Sequence, residues 1–485
     1  MLDALIIPGP AAPAWAIVLP LGAGVAAFVA GRRAGPWLVV AGAALTLFAV
    51  AVVAAQVAAG GPLVHAVGGW AAPLGIELHA DGWSALMLVM TGVVGAAVTV
   101  YALAYFAPAG PHADSAPGFW CLWPFLWGGL NALFLSADVF NLYVSLEVMS
   151  LAAVALVALG GGESVGAALR YLLVSIVGSL AYLLGVAFLY GEYGVLSVAG
   201  LAQAAQPTPA TWVAAALMVA GLMLKTALYP LHFWLPAAHA SAPTPVSAAL
   251  SGLVVKASFY VLLRLWLEVF PAAPGAAQVA GALGALAVLA GSAAALAAAR
   301  LKLLVAYSTV AQLGYLFLAV PLVGVAAAQG AAFEGTVMHM LSHACAKAAL
   351  FMAAGNVLYL LGRDDIDDVT RAARAAPWSM AAFGVAGASL IGLPPTGGFM
   401  AKWLLLTAAI EAGQWWWALV LVVGGFLAAG YVFRVVRRVF RQDAPVPQRR
   451  VPRLMEWVPA MLALIAFVLG IAAGAPLALL RGVPS

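Results

Sequence analysis

Four lysines lie inside runs of apolar residues, where a charged side chain is least expected. They are Lys225, Lys256, Lys347 and Lys402. A charge inside a membrane is costly, so ionisable residues kept there are candidates for ion or proton transfer. Burial also disfavours the charged form of an amine, so a buried lysine can take up and release a proton. The four lysines therefore predict proton-transfer chemistry.

Glu147 is the one carboxylate that falls well inside an apolar run. Its natural partner is Lys225. When the pair is closed, the carboxylate holds the lysine protonated, and when it opens, the desolvated lysine gives up its proton. A static ion pair is the alternative, although buried ion pairs often stabilise a protein little compared with apolar side chains.

Two histidines and a lysine occur at positions i, i+4 and i+8, namely His339, His343 and Lys347. This spacing places them on one face of a helix. Histidine is suited to proton relay near neutral pH. The same histidine pair is also a known zinc motif, but neither Cys345 nor an acidic residue shares the face of the two histidines, so no metal site is expected.

Proline and glycine interrupt two of the apolar runs beside these lysines. Pro230 and Pro236 follow Lys225, and Gly-Leu-Pro-Pro-Thr-Gly-Gly at 392–398 precedes Lys402. Proline breaks a helix, and broken helices in corresponding halves of a transporter mark its transport sites. We expect two broken helices, each next to a functional lysine.

Several further polar residues accompany this set. His232 and His239 flank the first break and are candidates for a path by which protons enter, with buried structural histidines as the alternative. Lys402, with Glu411 beyond it, is a candidate site of outward release. Six side chains are expected to hold water or to hydrogen-bond between helices: Ser175, Ser179, Tyr307, Ser308, Thr309 and Gln312.

The composition requires a membrane environment. The chain has 485 residues, of which 65% are hydrophobic and 8% charged, whereas soluble domains carry about 25% charged residues. A span needs about 20 apolar residues, which predicts an all-α polytopic membrane protein with about 14 spans. The spans are expected at 13–30, 37–58, 82–106, 117–136, 138–160, 165–190, 209–232, 246–270, 276–298, 303–324, 332–361, 375–412 (broken), 415–435 and 455–479.

The basic residues predict the orientation. Most of the 21 lysines and arginines fall in alternate loops, which places those loops in the cytoplasm and both termini on the outer face of a bacterial-type plasma membrane. Lys302 and the acidic run 364–368 are expected in solvated cytoplasmic loops. Arg264 and Glu268 are expected to form a structural pair near the outer end of their span.

We expect a single membrane domain, 1–485. It would comprise N-terminal helices at 1–110, two five-span units at 117–270 and 276–435 related as inverted repeats, and a last helix within 455–485. Cys121 and Cys345 are interpreted as small core residues. The net charge of +4 is spread over short loops and gives no nucleic-acid signal.

Five segments carry a resemblance to a known family. They are DVFNLYVSLEVMSL around Glu147, LKTALYPLHFWLPAAHASAPTPVSAALSGLVVK, LVAYSTVAQLGYL after Lys302, HMLSHACAK at 339–347 and GLPPTGGFMAKW at 392–403. They resemble the antiporter-like subunits of Mrp-type sodium/proton antiporters, respiratory complex I and membrane-bound hydrogenases.

The resemblance implies fourteen core helices, broken seventh and twelfth helices, and a hydrated polar axis through the middle of the membrane. It assigns proton transfer along that axis to Glu147, Lys225, Lys256, His339, His343, Lys347 and Lys402. Some complex I subunits carry glutamate at the position of Lys402. By length, the D-type Mrp subunit is the best match.

The sequence therefore predicts a proton-translocating subunit of a multi-subunit cation/proton antiporter, with other membrane subunits, protons, a monovalent cation (sodium is expected) and the lipid bilayer as partners. A pumping subunit of a complex I-like NADH:quinone oxidoreductase or hydrogenase is the alternative, and only then would the chain be part of an enzyme. A structural subunit without transport is a third possibility. No cofactor is expected, because no nucleotide, flavin, iron–sulfur or haem motif occurs.

Overall fold

A computed structural model describes residues 11–72, 74–108, 110–441 and 449–482. The chain is almost entirely helical, and twelve of the described helices are long and apolar enough to cross a membrane. The longer helices are α1 (Ala12–Gly60), α2 (Gly82–Tyr105), α3 (Ala116–Leu135), α4 (Val139–Ala158), α5 (Glu163–Tyr193), α7 (Pro209–Thr226), α10 (Val255–Glu268), α11 (Pro274–Ala297), α12 (Leu301–Leu318), α14 (Gln329–Leu361), α16 (Pro377–Ile391), α17 (Gly397–Glu411), α18 (Trp415–Val439) and α19 (Arg453–Ile471). The short helices are α6 (Val198–Ala204), α8 (Leu235–Ser241), α9 (Thr244–Ala249), α13 (Val320–Val323), α15 (Val369–Ala375) and α20 (Gly474–Arg481).

Helix α1 contains two membrane crossings. Its backbone leaves the helical region at Gly31 (φ 70°, ψ −164°). A Cβ placed on Gly42 would lie 2.4 Å from the Cβ of Ala23, so the two halves pack against each other as a hairpin. The hairpin adds one crossing to the twelve, and the broken pair α16/α17 adds another. The described residues thus contain fourteen crossing segments, as predicted.

Both predicted helix breaks are confirmed. Helix α7 stops at Thr226, six residues before the predicted end of its span, where Ala227 turns into the left-handed region (φ 59°). The chain continues through turns to α8. At the second break α16 ends with left-handed Gly392 (φ 88°), and Thr396 caps the start of α17.

The loops at each end of the bundle contact one another. At one end β1 (Leu63–Ala66) and β2 (Glu77–Ala80) form an antiparallel hairpin in which Val64 pairs with His79. Bridges between Leu78 and Ser136 and between Asp138 and Ser197 join this hairpin end to two further loops. At the opposite end Arg300 pairs with Asp365. These contacts agree with the prediction that successive loops alternate between the two ends of the bundle. The small β-hairpin itself was not predicted.

The prediction of solvated loops was wrong for Lys302 and for part of the acidic run. Lys302 is 1% exposed, and its Nζ donates to the Ala242 carbonyl over 2.7 Å. Asp364 is 2% exposed and accepts hydrogen bonds from the Lys302 backbone N–H and the Arg300 Nε, both over 2.9 Å. Asp368 is buried as well. The run caps the start of α12, and burial is tolerated because each charge has a partner.

Candidate functional site

The structure places Glu147 and Lys225 in contact. Glu147 projects from α4 and Lys225 from the last turn of α7, with 3.4 Å between Oε1 and Nζ. Two hydroxyls, those of Ser150 and Ser175, accept hydrogen bonds from the same Nζ, each over 2.8 Å. The Ser179 hydroxyl donates to the carboxylate of Glu147. The ammonium therefore keeps two acceptors if the carboxylate moves away.

A close helix crossing positions Lys225. Helices α5 and α7 touch at Gly178 and Gly221, and a Cβ on Gly221 would lie 2.3 Å from the Gly178 carbonyl oxygen. Lys225 follows Gly221 by one helical turn, so the crossing brings its side chain alongside Ser175. Beyond Lys225 lies a gap toward Ser258, too narrow for water in this conformation.

Lys256 lies at the start of α10, directly after a π-helical turn (Leu250–Val254). Its side chain is fully buried, and Nζ donates to the carbonyls of Ser251 and Gly252 over 2.7 and 2.8 Å. A π-turn interrupts the regular helix ladder, and such turns are frequent at functional sites. The lysine side chain thus folds back along its own helix.

The predicted face of α14 is present, and it meets Lys256. The rings of His339 and His343 are stacked with centroids 5.3 Å apart. Lys347 donates to the Val305 carbonyl over 3.0 Å and to the Ser308 hydroxyl. All three side chains lie within electrostatic range of Lys256. Neither ring nitrogen of His343 has a hydrogen-bond partner among the described residues.

Lys402 lies against the second break. Its Nζ donates to the carbonyls of Leu390 and Ile391 over 2.9 and 3.0 Å, at the end of α16 where the helix dipole is negative. The ammonium also lies 4.4 Å from the ring centroid of Tyr315, whose edge meets His339 at 5.7 Å. Tyr315 was not identified from the sequence; it links the α14 histidines to Lys402.

The two histidines of the first break differ. His239 on α8 is 1% exposed, stacks on Phe351 of α14 at 4.5 Å, and has no hydrogen-bond partner on either ring nitrogen within the described ranges. It lies within electrostatic range of Lys256, Lys302 and Lys347. His232 lies in the turn itself, half-buried against Tyr229. The structure thus brings His239 to the lysines and leaves His232 at the periphery.

Few carboxylates lie near the lysine ammonium groups in the described part of the chain. In the described part of the chain, Glu147 is the one carboxylate within 4.0 Å of any lysine ammonium. Carbonyls, hydroxyls and an aromatic ring supply the remaining contacts of Lys256, Lys347 and Lys402. A permanently charged lysine would be costly with such partners. No group of three or more potential metal-ligating side chains converges among the described residues.

Known proteins share this architecture. A family profile described as "NADH:quinone oxidoreductase/Mrp antiporter, TM" matches residues 136–428. The NADH-quinone oxidoreductase subunit N of Desulforudis audaxviator (strain MP104C) is 38% identical, covering 95% of this chain and 94% of that protein. The D subunit of the Na(+)/H(+) antiporter of Alkalihalophilus pseudofirmus (strain ATCC BAA-2126 / JCM 17055 / OF4) is 28% identical, covering 72% of this chain and 70% of that protein.

A solved structure extends the likeness to the whole fold. A chain in the structure of the Mrp complex from Dietzia sp. DQ12-45-1b superposes with a TM-score of 0.87 at 26% identity, covering 98% of this chain and 97% of that one. The family match spans more than half of the sequence and contains all seven axis residues named above. The chain belongs to the NADH:quinone oxidoreductase/Mrp antiporter transmembrane family.

Proposed function

We propose that this chain is the proton-translocating subunit of a multi-subunit cation/proton antiporter of the Mrp type, exchanging protons for a monovalent cation, with sodium expected. The observation that carries the proposal is the series of buried lysines with a single carboxylate among them. Burying a neutral lysine costs little free energy, whereas burying a charged one costs much, so such lysines are suited to transient protonation.

The Glu147–Lys225 pair acts as the switch in this mechanism. In the closed pair the carboxylate and the two serine hydroxyls hold a proton on the lysine Nζ. Moving the carboxylate away removes the one negative charge beside the ammonium. The proton then becomes easier to release across the gap that leads to helix α10.

The centre of the bundle passes the proton on. Because Lys256 and Lys347 lie within electrostatic range of each other, protonation of one disfavours protonation of the other. His343 and His339 lie beside them, and Tyr315 connects His339 with Lys402. His239 supplies the path by which protons reach the lysines from the side of the basic loops.

A second kind of parent complex is also a candidate. The 38% identity to the N subunit of an NADH-quinone oxidoreductase over nearly the whole chain favours a pumping subunit of a complex I-like assembly. The antiporter relatives of D type and the Mrp complex structure favour the antiporter. Under either proposal the chain lies in a bacterial inner membrane, with both termini outside and other membrane subunits as neighbours.

The test uses the native complex, purified through a tag on this chain and reconstituted in liposomes. We expect Lys225→Ala, Glu147→Ala and Lys402→Ala each to abolish proton transport, while gel filtration shows intact assembly. Glu163→Ala, at an exposed carboxylate in the first turn of α5, is the matched control. Full transport by Glu147→Ala contradicts the switch, and silence of all lysine substitutions indicates a structural subunit. Two further observations identify the parent complex. The first is whether proton transport is driven by a sodium gradient or by quinone reduction, and the second is which subunits co-purify with this chain.

A further inference from the structure

One face of helix α10 runs from the middle of the membrane to the surface. Lys256, Tyr260, Arg264 and Glu268 follow one another at i, i+4 spacing and therefore share that face. Lys256 is fully buried, whereas the Glu268 side chain is 40% exposed. Twelve residues of helix span about 18 Å. The face thus connects the central lysine to the end of the bundle that carries the β-hairpin.

A cavity of about 240 Å³ lies at the surface end of this face. Its walls come from four separate parts of the chain, which are the β1–β2 hairpin, the α3–α4 junction, the start of α6, and α10. A cavity of this size that carries polar side chains has room for several water molecules. The polar side chains that line it are Glu77, His79, Ser136, Ser197, Tyr260, Arg264 and Glu268.

Arg264 closes the inner end of the cavity. Its Nη1 donates to Asp81 over 2.6 Å and to Glu268 over 2.8 Å. Its Nη2 donates to Asp81 over 3.0 Å and to the Tyr260 hydroxyl over 2.8 Å, and the guanidinium lies 5.0 Å above the ring of Trp83. The predicted pair with Glu268 is therefore present, but it is one arm of a larger clamp.

The Asp81 arm of the clamp is ionised at physiological pH. Burial works to raise the pKa of the Asp81 carboxyl, but the Arg264 guanidinium and the hydrogen bonds from Ser84 together hold it well below its usual range. The next layer inward is apolar, because the ring of Tyr260 packs on Trp83 at 4.5 Å and on Phe134 at 5.0 Å. A fixed arginine charge at a constriction repels protons and other cations.

We propose that this cavity is the outward port through which protons pass between Lys256 and the outer aqueous phase, and that Arg264 is the barrier that blocks the port in the present conformation. The inference rests on the proposed function and on the predicted orientation. It explains why a cavity with room for water, a barrier cation and the central lysine lie along one helix face. A purely structural clamp requires neither the pocket nor its alignment with Lys256.

The test measures passive proton conductance of the complete complex in liposomes, with a trapped pH dye, a clamped membrane potential and no energy source. Arg264→Met removes the charge and keeps the bulk. We expect conductance to rise about tenfold, which corresponds to a barrier lowered by about 1.4 kcal/mol. Arg170→Met, an exposed arginine near the end of a span, is the control and should not leak.

The double variant Arg264→Met/Lys256→Met tests the route. If the port leads to Lys256, the second substitution abolishes the leak, and a leak that persists contradicts the proposal. Wild-type conductance in an assembled Arg264→Met complex also overturns it. If the native complex moves no protons at all, both the proposed function and the port are refuted. If the native complex transports protons but the Arg264→Met variant shows no increase in passive proton conductance, only the port is refuted.

A second measurement covers the case in which Arg264→Met does not assemble. Ser136 lines the cavity, and Ser136→Cys is made in a Cys121→Ser background, where the remaining Cys345 is buried. A membrane-impermeant thiol reagent added from the outer side should label the Ser136→Cys complex and slow its proton transport severalfold. Failure to label, or labelling that leaves transport unchanged, contradicts the port.

Discussion

Glu147 is the residue on which the proposed switch depends, because it supplies the one negative charge beside Lys225 among the described residues. Glu147→Gln keeps the shape and the acceptor oxygen but removes that charge. Proton transport should fall about a hundredfold, the low end for loss of a positioned proton-transfer group. The measurement is proton uptake by the reconstituted complex, with Glu163→Gln, an exposed glutamate on α5, as control. Wild-type transport by Glu147→Gln argues against the switch.

Asp364 has a structural role at the other end of the bundle. It accepts hydrogen bonds from Arg300 and from the Lys302 backbone while almost fully buried. Asp364→Asn should lower the free energy of unfolding by about 1–3 kcal/mol, the cost of leaving a buried partner poorly satisfied. Thermal unfolding in detergent measures this. Asp367→Asn is the control, because its pair with Arg438 is exposed and contributes little. Equal stability of the two variants contradicts the structural role.

The residue types alone identified the lysines, Glu147 and the α14 histidines, since burial of such groups is costly enough to require a reason. They did not identify Ser150 or Tyr315, because serine and tyrosine are ordinary in membrane helices and their contacts join distant segments. Lys302 was misjudged for a related reason. A lysine at a helix start resembles a loop residue until the segment carrying Asp364 folds over it.

At the scale of elements, interruptions of the regular helix ladder supply the acceptors that single lysines need. Lys402 binds the carbonyls left free where α16 ends, and Lys256 binds two carbonyls of the π-helical turn. Proline and glycine spacing predicted both breaks. The exact end of α7 depends on the left-handed turn at Ala227. Alanine seldom adopts this conformation, so the residue type gives no signal that the helix ends there. The short β-hairpin was missed because four-residue strands are weak signals between long apolar runs.

The α5–α7 crossing tests whether an element positions the switch. Gly221→Ala places a methyl group 2.3 Å from the Gly178 carbonyl oxygen, so the helices must separate. Lys225 would move away from Ser175 and Glu147, and proton transport should fall severalfold together with a lower unfolding temperature. Gly166→Ala on α5 is the matched control, because its Cβ would meet open space. Unchanged transport by Gly221→Ala would show that the crossing does not set the geometry of the pair.

At the scale of the whole molecule, the candidate site extends from the buried Lys225 at the first broken helix to the half-buried Lys402 at the second. A groove of about 310 Å³ on the side of the helical bundle opens at Lys402 and is lined by apolar side chains that include Trp403 and Phe426. The composition and the basic loops predicted the membrane class and the number of crossings. The division into two five-span units, 117–270 and 276–435, stays a prediction, because sequence spacing alone suggests it.

The sidedness of the molecule is the last prediction, and the outward port depends on it. Loops predicted to lie outside meet at the β-hairpin end, and the basic loops meet at the other. Trp70 is 65% exposed at the first end, and Arg441 is exposed at the second. In a Cys121→Ser background, an impermeant maleimide should label Trp70→Cys in right-side-out vesicles and Arg441→Cys in inside-out vesicles only. This pattern is expected because positive loops are retained on the cytoplasmic side. The reverse pattern would contradict the predicted orientation and make the proposed port an inlet.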